Sequence, residues 1–181
     1  MYQDLEKILY TRADLQQRVN ELGAQITKDY EGKFPLLICL LKGSCIFFAD
    51  LVRAIETHVE LDFIMVSSYG SSVNSSGNIV IKKDLSCDIS DRDVIIVEDI
   101  IDSGLTISYL KKYLQTRKPR SISVCTLLNQ QKRRKADLTP EYIGFELNSE
   151  FVVGYGLDFA ERFRNLPEIG ILKHELYEDK E

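Results

Sequence analysis

Histidine is scarce in this chain: only His58 and His174 occur among 181 residues, each isolated from the other. Catalysis by a Ser/His/Asp or Cys/His arrangement is therefore not expected, and acid/base chemistry must come from carboxylates or lysine. The four cysteines, at positions 39, 45, 87 and 125, form no Cys-x-x-Cys pair and have no histidines nearby, which argues against a zinc site. Reduced thiols are expected, with Cys39 and Cys125 acting as small hydrophobes inside apolar runs. Long hydrophobic runs are also missing. The longest uncharged apolar stretch, Phe34 to Leu41, is far too short to cross a bilayer. Asp4, Glu6 and Lys7 are not followed by the apolar core of a secretory signal, so a cytoplasmic protein without a membrane partner is expected. Nor is positive charge in excess. Lys plus Arg number 23 against 28 Asp plus Glu, a net charge of −5, which argues against nucleic acid as a general partner. No Gly-x-x-x-x-Gly-Lys-Ser/Thr occurs, and Gly154-Tyr155-Gly156 lacks the third glycine of a dinucleotide fingerprint. Internal repeats and domain-dividing linkers are absent as well.

What is present fits one globular domain spanning 1–181, with 44% hydrophobic and 28% charged residues. Leu15, Val19, Leu22 and Ile26 recur at helical spacing, so a helix is predicted over 12–31 with Thr11 as its N-cap. Pro35 to Leu41 reads as a strand buried on both faces, and Lys42-Gly43-Ser44 breaks it. Helical spacing returns over Ile46–Ile55 and Ile107–Leu114. Further strands are expected at Val59–Val66, Ile79–Lys83, Asp93–Glu98 and Ser121–Leu128. Shorter apolar stretches follow at Tyr142–Leu147, Phe151–Tyr155 and Ile169–Leu172. Strands alternating with helices imply an α/β fold with a mostly parallel sheet and a ligand site beyond the carboxyl ends of its strands. The serine- and glycine-rich stretch from Ser67 to Gly77 is the most loop-like part of the chain and has the character of a mobile lid.

The most informative segment is Val94 to Thr106, where a buried strand runs into Glu98, Asp99 and Asp102 and then into Ser103-Gly104-Leu105-Thr106 at a helix start. Neighbouring carboxylates at a strand end repel each other and lose hydration, a cost usually offset by a cation or by ligand donors. Free N–H groups at a helix N-terminus, with two hydroxyls beside them, suit a phosphate. The segment reads as a sugar-phosphate cradle with acids alongside. The plainer alternative is that Asp102 or Ser103 merely caps the helix while Glu98 and Asp99 are solvated.

Glu98-Asp-Ile-Ile-Asp-Ser-Gly-Leu-Thr106 closely resembles the phosphoribosyl pyrophosphate signature of the type I phosphoribosyltransferases, in the variety of their hypoxanthine(-guanine) branch. Leu41-Lys42-Gly43 is similar to that family's pyrophosphate loop, and Ser68-Tyr69-Gly70 to the start of its catalytic lid. Phe151 to Asp158, with Phe163-Arg164, resembles its purine-binding hood. The resemblance implies a core over about 10–150, a lid loop at 67–84 and hood elements over about 140–175. It implies the following roles. Asp102 is the acid/base residue beside the purine. Glu98, Asp99, Asp102, Ser103, Gly104, Leu105 and Thr106 hold the ribose phosphate, and Lys42, Gly43 and Arg164 the pyrophosphate. Ser68 and Tyr69 close the lid. Gln130, Phe151, Val152 and Asp158 meet the base, and Glu98, Asp99 and Asp158 hold magnesium. It further implies a Leu41–Lys42 peptide that is cis, small-molecule substrates and a homo-oligomer, dimer or tetramer. Gln130 departs from the pattern, since the family places a lysine there to read the 6-oxo group of the base; Lys132 is the nearest alternative. An uncharged donor at that position predicts modest 6-oxopurine affinity and weaker discrimination against adenine. The basic run Lys132-Arg133-Arg134-Lys135 reads as a solvated loop. It is also the one feature favouring a rival class, an RNA-binding regulator on the same fold.

Overall fold

The computed structural model describes residues 1–68 and 79–177. Thr11 opens helix α1 (Arg12–Asp29) with a reciprocal capping box: its hydroxyl accepts the Asp14 N–H, and Asp14 accepts the Thr11 N–H. Leu15, Val19, Leu22 and Ile26 form the buried stripe that the helical spacing predicts. The central sheet contains β2 (Leu36–Leu41), β3 (Glu60–Ser68), β4 (Ile79–Lys83), β5 (Asp93–Ile101), β6 (Ser121–Asn129) and β7 (Tyr142–Glu146), in the order β4-β3-β2-β5-β6-β7. Every pairing is parallel except that of β3 with β4.

The period of two along these strands sorts their side chains into two cores. Leu37, Cys39, Ile95, Val97, Cys125 and Leu127 pack against α1 and α2 (Cys45–Ala54). Leu36, Ile38, Val94, Ile96 and Val124 pack on the other side, with Ile107, Leu110 and Leu114 of α3 (Leu105–Gln115). Burial on both faces accounts for the unbroken apolar runs of β2 and β5. All four cysteines are free, and burial pushes the Cys39 thiol up to about 11, which removes it as a nucleophile at neutral pH.

A second, three-stranded antiparallel sheet has the order β1-β9-β8, made of β1 (Leu5–Tyr10), β8 (Val152–Val153) and β9 (Ile169–Leu172). This sheet carries β8 and β9, which fall in the range expected for the hood, and also takes in β1, which precedes the expected core but for Tyr10. Strand β1 runs along the edge of its sheet with only Leu5 buried, so it carries no alternating signal. Strand β5 continues three residues past its predicted end, and Glu98 and Asp99 therefore stand within the sheet and not beyond it. The apolar stretch Phe151–Tyr155 yields a strand of only two residues, because Gly154, Tyr155 and Gly156 all take positive φ and turn the chain. Residues 69–78, with Tyr69 and most of the expected lid, lie outside the described residues. Ser68 is the last residue of β3.

Candidate active site

Two adjoining cavities open at the carboxyl end of β5. The smaller, about 100 Å³, is lined by Glu98, Ile100, Ile101, Asp102, Gly104, Thr106 and Ile107. Asp99, Gln130, Arg133, Glu150, Phe151, Val152, Leu157 and Asp158 contribute to the larger, about 270 Å³, together with Ile100 and Asp102. Among the described residues Asp102 is thus the one ionisable group on both walls, standing between a small polar cup and a cleft with an aromatic wall.

The cup is shaped from behind. Ile101 O accepts the Gln130 N–H at 2.9 Å, Asp102 O accepts Arg134 Nε at 3.0 Å, and Ser103 O accepts the N–H groups of Lys135 and Ala136. These bonds tie three consecutive carbonyls to the 130–136 segment and fix the backbone of the turn behind the cup. The N–H of Ser103 donates to the Asp102 carboxylate. Gly104, the α3 N-cap at φ 75°, has no side chain to occupy the helix end, and a Cβ there would lie 2.8 Å from Arg134 Cδ. The Leu105 N–H donates to Ser103 Oγ at 3.5 Å, and the other first-turn N–H groups with the positive end of the helix dipole suit an anion.

Glu98 and Asp99 are 8% and 9% exposed, which excludes the alternative of two solvated carboxylates. Glu98 Oε1 accepts the Asp99 N–H at 3.1 Å, and burial followed by the neighbouring Asp99 charge raises the Glu98 carboxyl well above the usual range. Asp99 Oδ1 accepts the Ile100 N–H at 2.8 Å, while Oδ2 lies against Gly43, where an added Cβ would come within 1.9 Å of it. Gly43 O in turn lies 2.0 Å from where a Cβ on Gly156 would sit, so the 42–43 turn is held between the sheet and the hood. The Leu41–Lys42 peptide bond is cis. Lys42 Nζ reaches Glu161 at 3.2 Å, and Arg164 bonds Gly156 O and Asp158 Oδ1, both at 2.8 Å, and Glu161 at 3.4 Å. Glu161 thereby gathers both expected pyrophosphate cations at one end of the site. It sits in a positive-φ turn that no sequence motif marks.

Among the described residues, no group of three or more His, Cys, Asp or Glu side chains could hold a metal, so Glu98, Asp99 and Asp158 are not assembled into a closed site. Magnesium does not require one, since it keeps several waters and binds through one or two carboxylates together with substrate phosphates. Asp99 and Asp158, both on the larger cleft, have the hard oxygen donors for that arrangement.

Along the larger cleft, Phe151 stacks on Tyr177 at 4.8 Å and meets the edge of Phe159 at 5.7 Å. Gln130 is 1% exposed, and its Nε2 has no hydrogen-bond partner among the described residues. Lys132 is exposed, bonds Asn148 Oδ1 at 3.1 Å and does not line the cleft. The basic run is not uniformly solvated. Arg134 is half-buried, bonding Leu138 O at 2.7 Å and the Asn129 side chain as well as the cup. Its importance was hidden because backbone carbonyls, which no sequence pattern announces, are its partners.

A family model described as "Phosphoribosyl transferase domain" matches residues 7–160. The chain is 52% identical to the hypoxanthine-guanine phosphoribosyltransferase of Bacillus subtilis (strain 168), over 98% of this chain and 99% of that one. It is 47% identical to the enzyme of the same name from Streptococcus thermophilus, over 96% and 97% of the two chains. A crystal structure of a hypoxanthine phosphoribosyltransferase from Staphylococcus aureus superposes with a TM-score of 0.95 at 47% identity, covering 98% of this chain and 96% of that one. The mostly parallel central sheet with its flanking helices has the type I phosphoribosyltransferase fold, and the chain belongs to the phosphoribosyltransferase family.

Proposed function

We propose that this protein is a purine-salvage enzyme that joins hypoxanthine, and guanine, to phosphoribosyl pyrophosphate, forming the nucleoside monophosphate and releasing pyrophosphate. The observation that carries this reading is Asp102 standing on both cavity walls, with a helix-end anion cup on one side and an aromatic cleft on the other. The cup takes the 5-phosphate and the cleft takes the base, whose reacting nitrogen then faces the Asp102 carboxyl. Asp102 manages the proton on the five-membered ring as that nitrogen attacks the anomeric carbon. Positive charge grows on the ribose as pyrophosphate leaves, and the Asp99 carboxylate on the larger cleft would stabilise it, with Glu98, whose charged form burial disfavours, next to it in the chain. Lys42 and Arg164 exchange Glu161 and Asp158 for the departing pyrophosphate, while Phe151 stacks on the base and Val152 offers backbone groups to its edge.

Magnesium is the proposed cofactor; Asp99, Glu98 and Asp158 would hold it, and when bound it would supply charge neutralisation to the pyrophosphate. Four free thiols support a reducing compartment, the cytoplasm. Initial rates with hypoxanthine, guanine, xanthine and adenine test the activity; turnover of hypoxanthine with release of pyrophosphate is expected, and none with any purine would overturn the reading. EDTA should abolish turnover and added magnesium restore it. Full activity after exhaustive chelation would remove the ion from the mechanism.

A further inference from the structure

We infer that Arg133 supplies the positive charge that selects a 6-oxo over a 6-amino purine in this chain, with Gln130 as its neutral companion; this rests on the purine-transferase reading above. The base-side cleft is strongly acidic, with Asp99, Asp102, Glu150 and Asp158 on its walls, and Arg133 is the one cationic residue that lines it among the described residues. The basic run to which Arg133 belongs divides its tasks. Lys132 is drawn away to Asn148, and Arg134 is committed to the carbonyls behind the phosphate cup. Among the described residues the Arg133 guanidinium makes neither an ion pair nor a hydrogen bond, although acids lie on the same cleft. Its backbone is tied to the base reader: Gln130 to Arg133 forms one tight turn, closed by the Arg133 N–H on Gln130 O at 3.2 Å.

Donor chemistry then separates the two side chains. Buried Nε2 of Gln130 requires an acceptor, which the 6-oxo group provides, but a rotated amide offers its own oxygen to a 6-amino group equally well. Gln130 alone therefore binds both kinds of base. A guanidinium has donors only and keeps its charge, so beside the exocyclic position it favours oxygen and repels an amine. Selectivity in this chain accordingly comes from residue 133, and adenine discrimination stronger than Gln130 alone would give is the expected result.

The test is a double-mutant cycle read as kcat/KM for hypoxanthine and adenine. Arg133→Gln should lower hypoxanthine kcat/KM by about tenfold, the difference between a charged and a neutral hydrogen bond, through KM for the base. KM for phosphoribosyl pyrophosphate should stay the same, and the hypoxanthine-to-adenine ratio should fall. Adding Gln130→Lys to Arg133→Gln should restore the ratio, because the charge returns three residues away. Lys132→Gln should alter neither base. An unchanged ratio in Arg133→Gln, an equal loss for both bases, or a ratio that falls in Lys132→Gln would each overturn the assignment. If the unmodified protein turned over no purine, the enzymatic reading itself would fail, which is a separate result.

Discussion

Replacing Asp102 by asparagine should lower turnover by about 100- to 10,000-fold, the usual contribution of a positioned acid/base group. The amide has the shape of the carboxylate and can still hydrogen-bond, but it cannot accept the proton. Binding of phosphoribosyl pyrophosphate should change far less. The cup depends on the Asp102 carbonyl, which Arg134 Nε holds at 3.0 Å and which the substitution does not alter. Fluorescence or calorimetric titration with the sugar substrate, alongside single-turnover rates, separates the two effects. An Asp102→Asn variant with unaltered turnover would remove the proton-transfer role.

Gly43→Ala should be damaging out of proportion to one methyl group. Its new Cβ would meet Asp99 Oδ2 at 1.9 Å, and the carboxylate has little room to retreat because Oδ1 is held by the Ile100 N–H. The turn cannot move freely toward the hood either, since Gly43 O already occupies the space beside Gly156. Overpacking of this kind costs about 1–3 kcal/mol. A shift of about 1 Å in reacting groups costs about 100-fold in rate, and Asp99 and Lys42 lie on the two sides of this contact. Chemical denaturation and steady-state kinetics should therefore show a moderate loss of stability with a loss of turnover near two orders of magnitude. A Gly43→Ala enzyme with native activity would show that the turn has slack that the contact denies.

The strands of the main sheet were readable because burial on both faces leaves continuous apolar runs, as in Leu36–Leu41 and Val94–Val97. Helix α1 was readable to its first residue, since Thr11 and Asp14 form a local signal that needs no distant partner. Strand β1 escaped for the opposite reason: it lies at a sheet edge and is specified by its pairing with β9, at the far end of the sequence. In the site, the segment Glu98–Thr106 announced itself by placing acids and small residues where a core strand meets a helix. Arg134, Arg133 and Glu161 did not. Arg134 works on carbonyls, Arg133 matters through which cleft it borders, and Glu161 through two cations brought in from other parts of the chain.

The pairing of Leu5 with Leu172 also sets an order of events. Strands β2 to β7 can associate once the chain has grown past Glu146, but the hood's central strand is β9, so its sheet must wait for Leu172. Closing a contact between such distant positions comes late, after shorter-range pairings have already lowered its entropic cost. On that order the helix-end cup, built by 98–107 and 130–136, is expected to form before the cleft that Phe151, Leu157 and Asp158 complete.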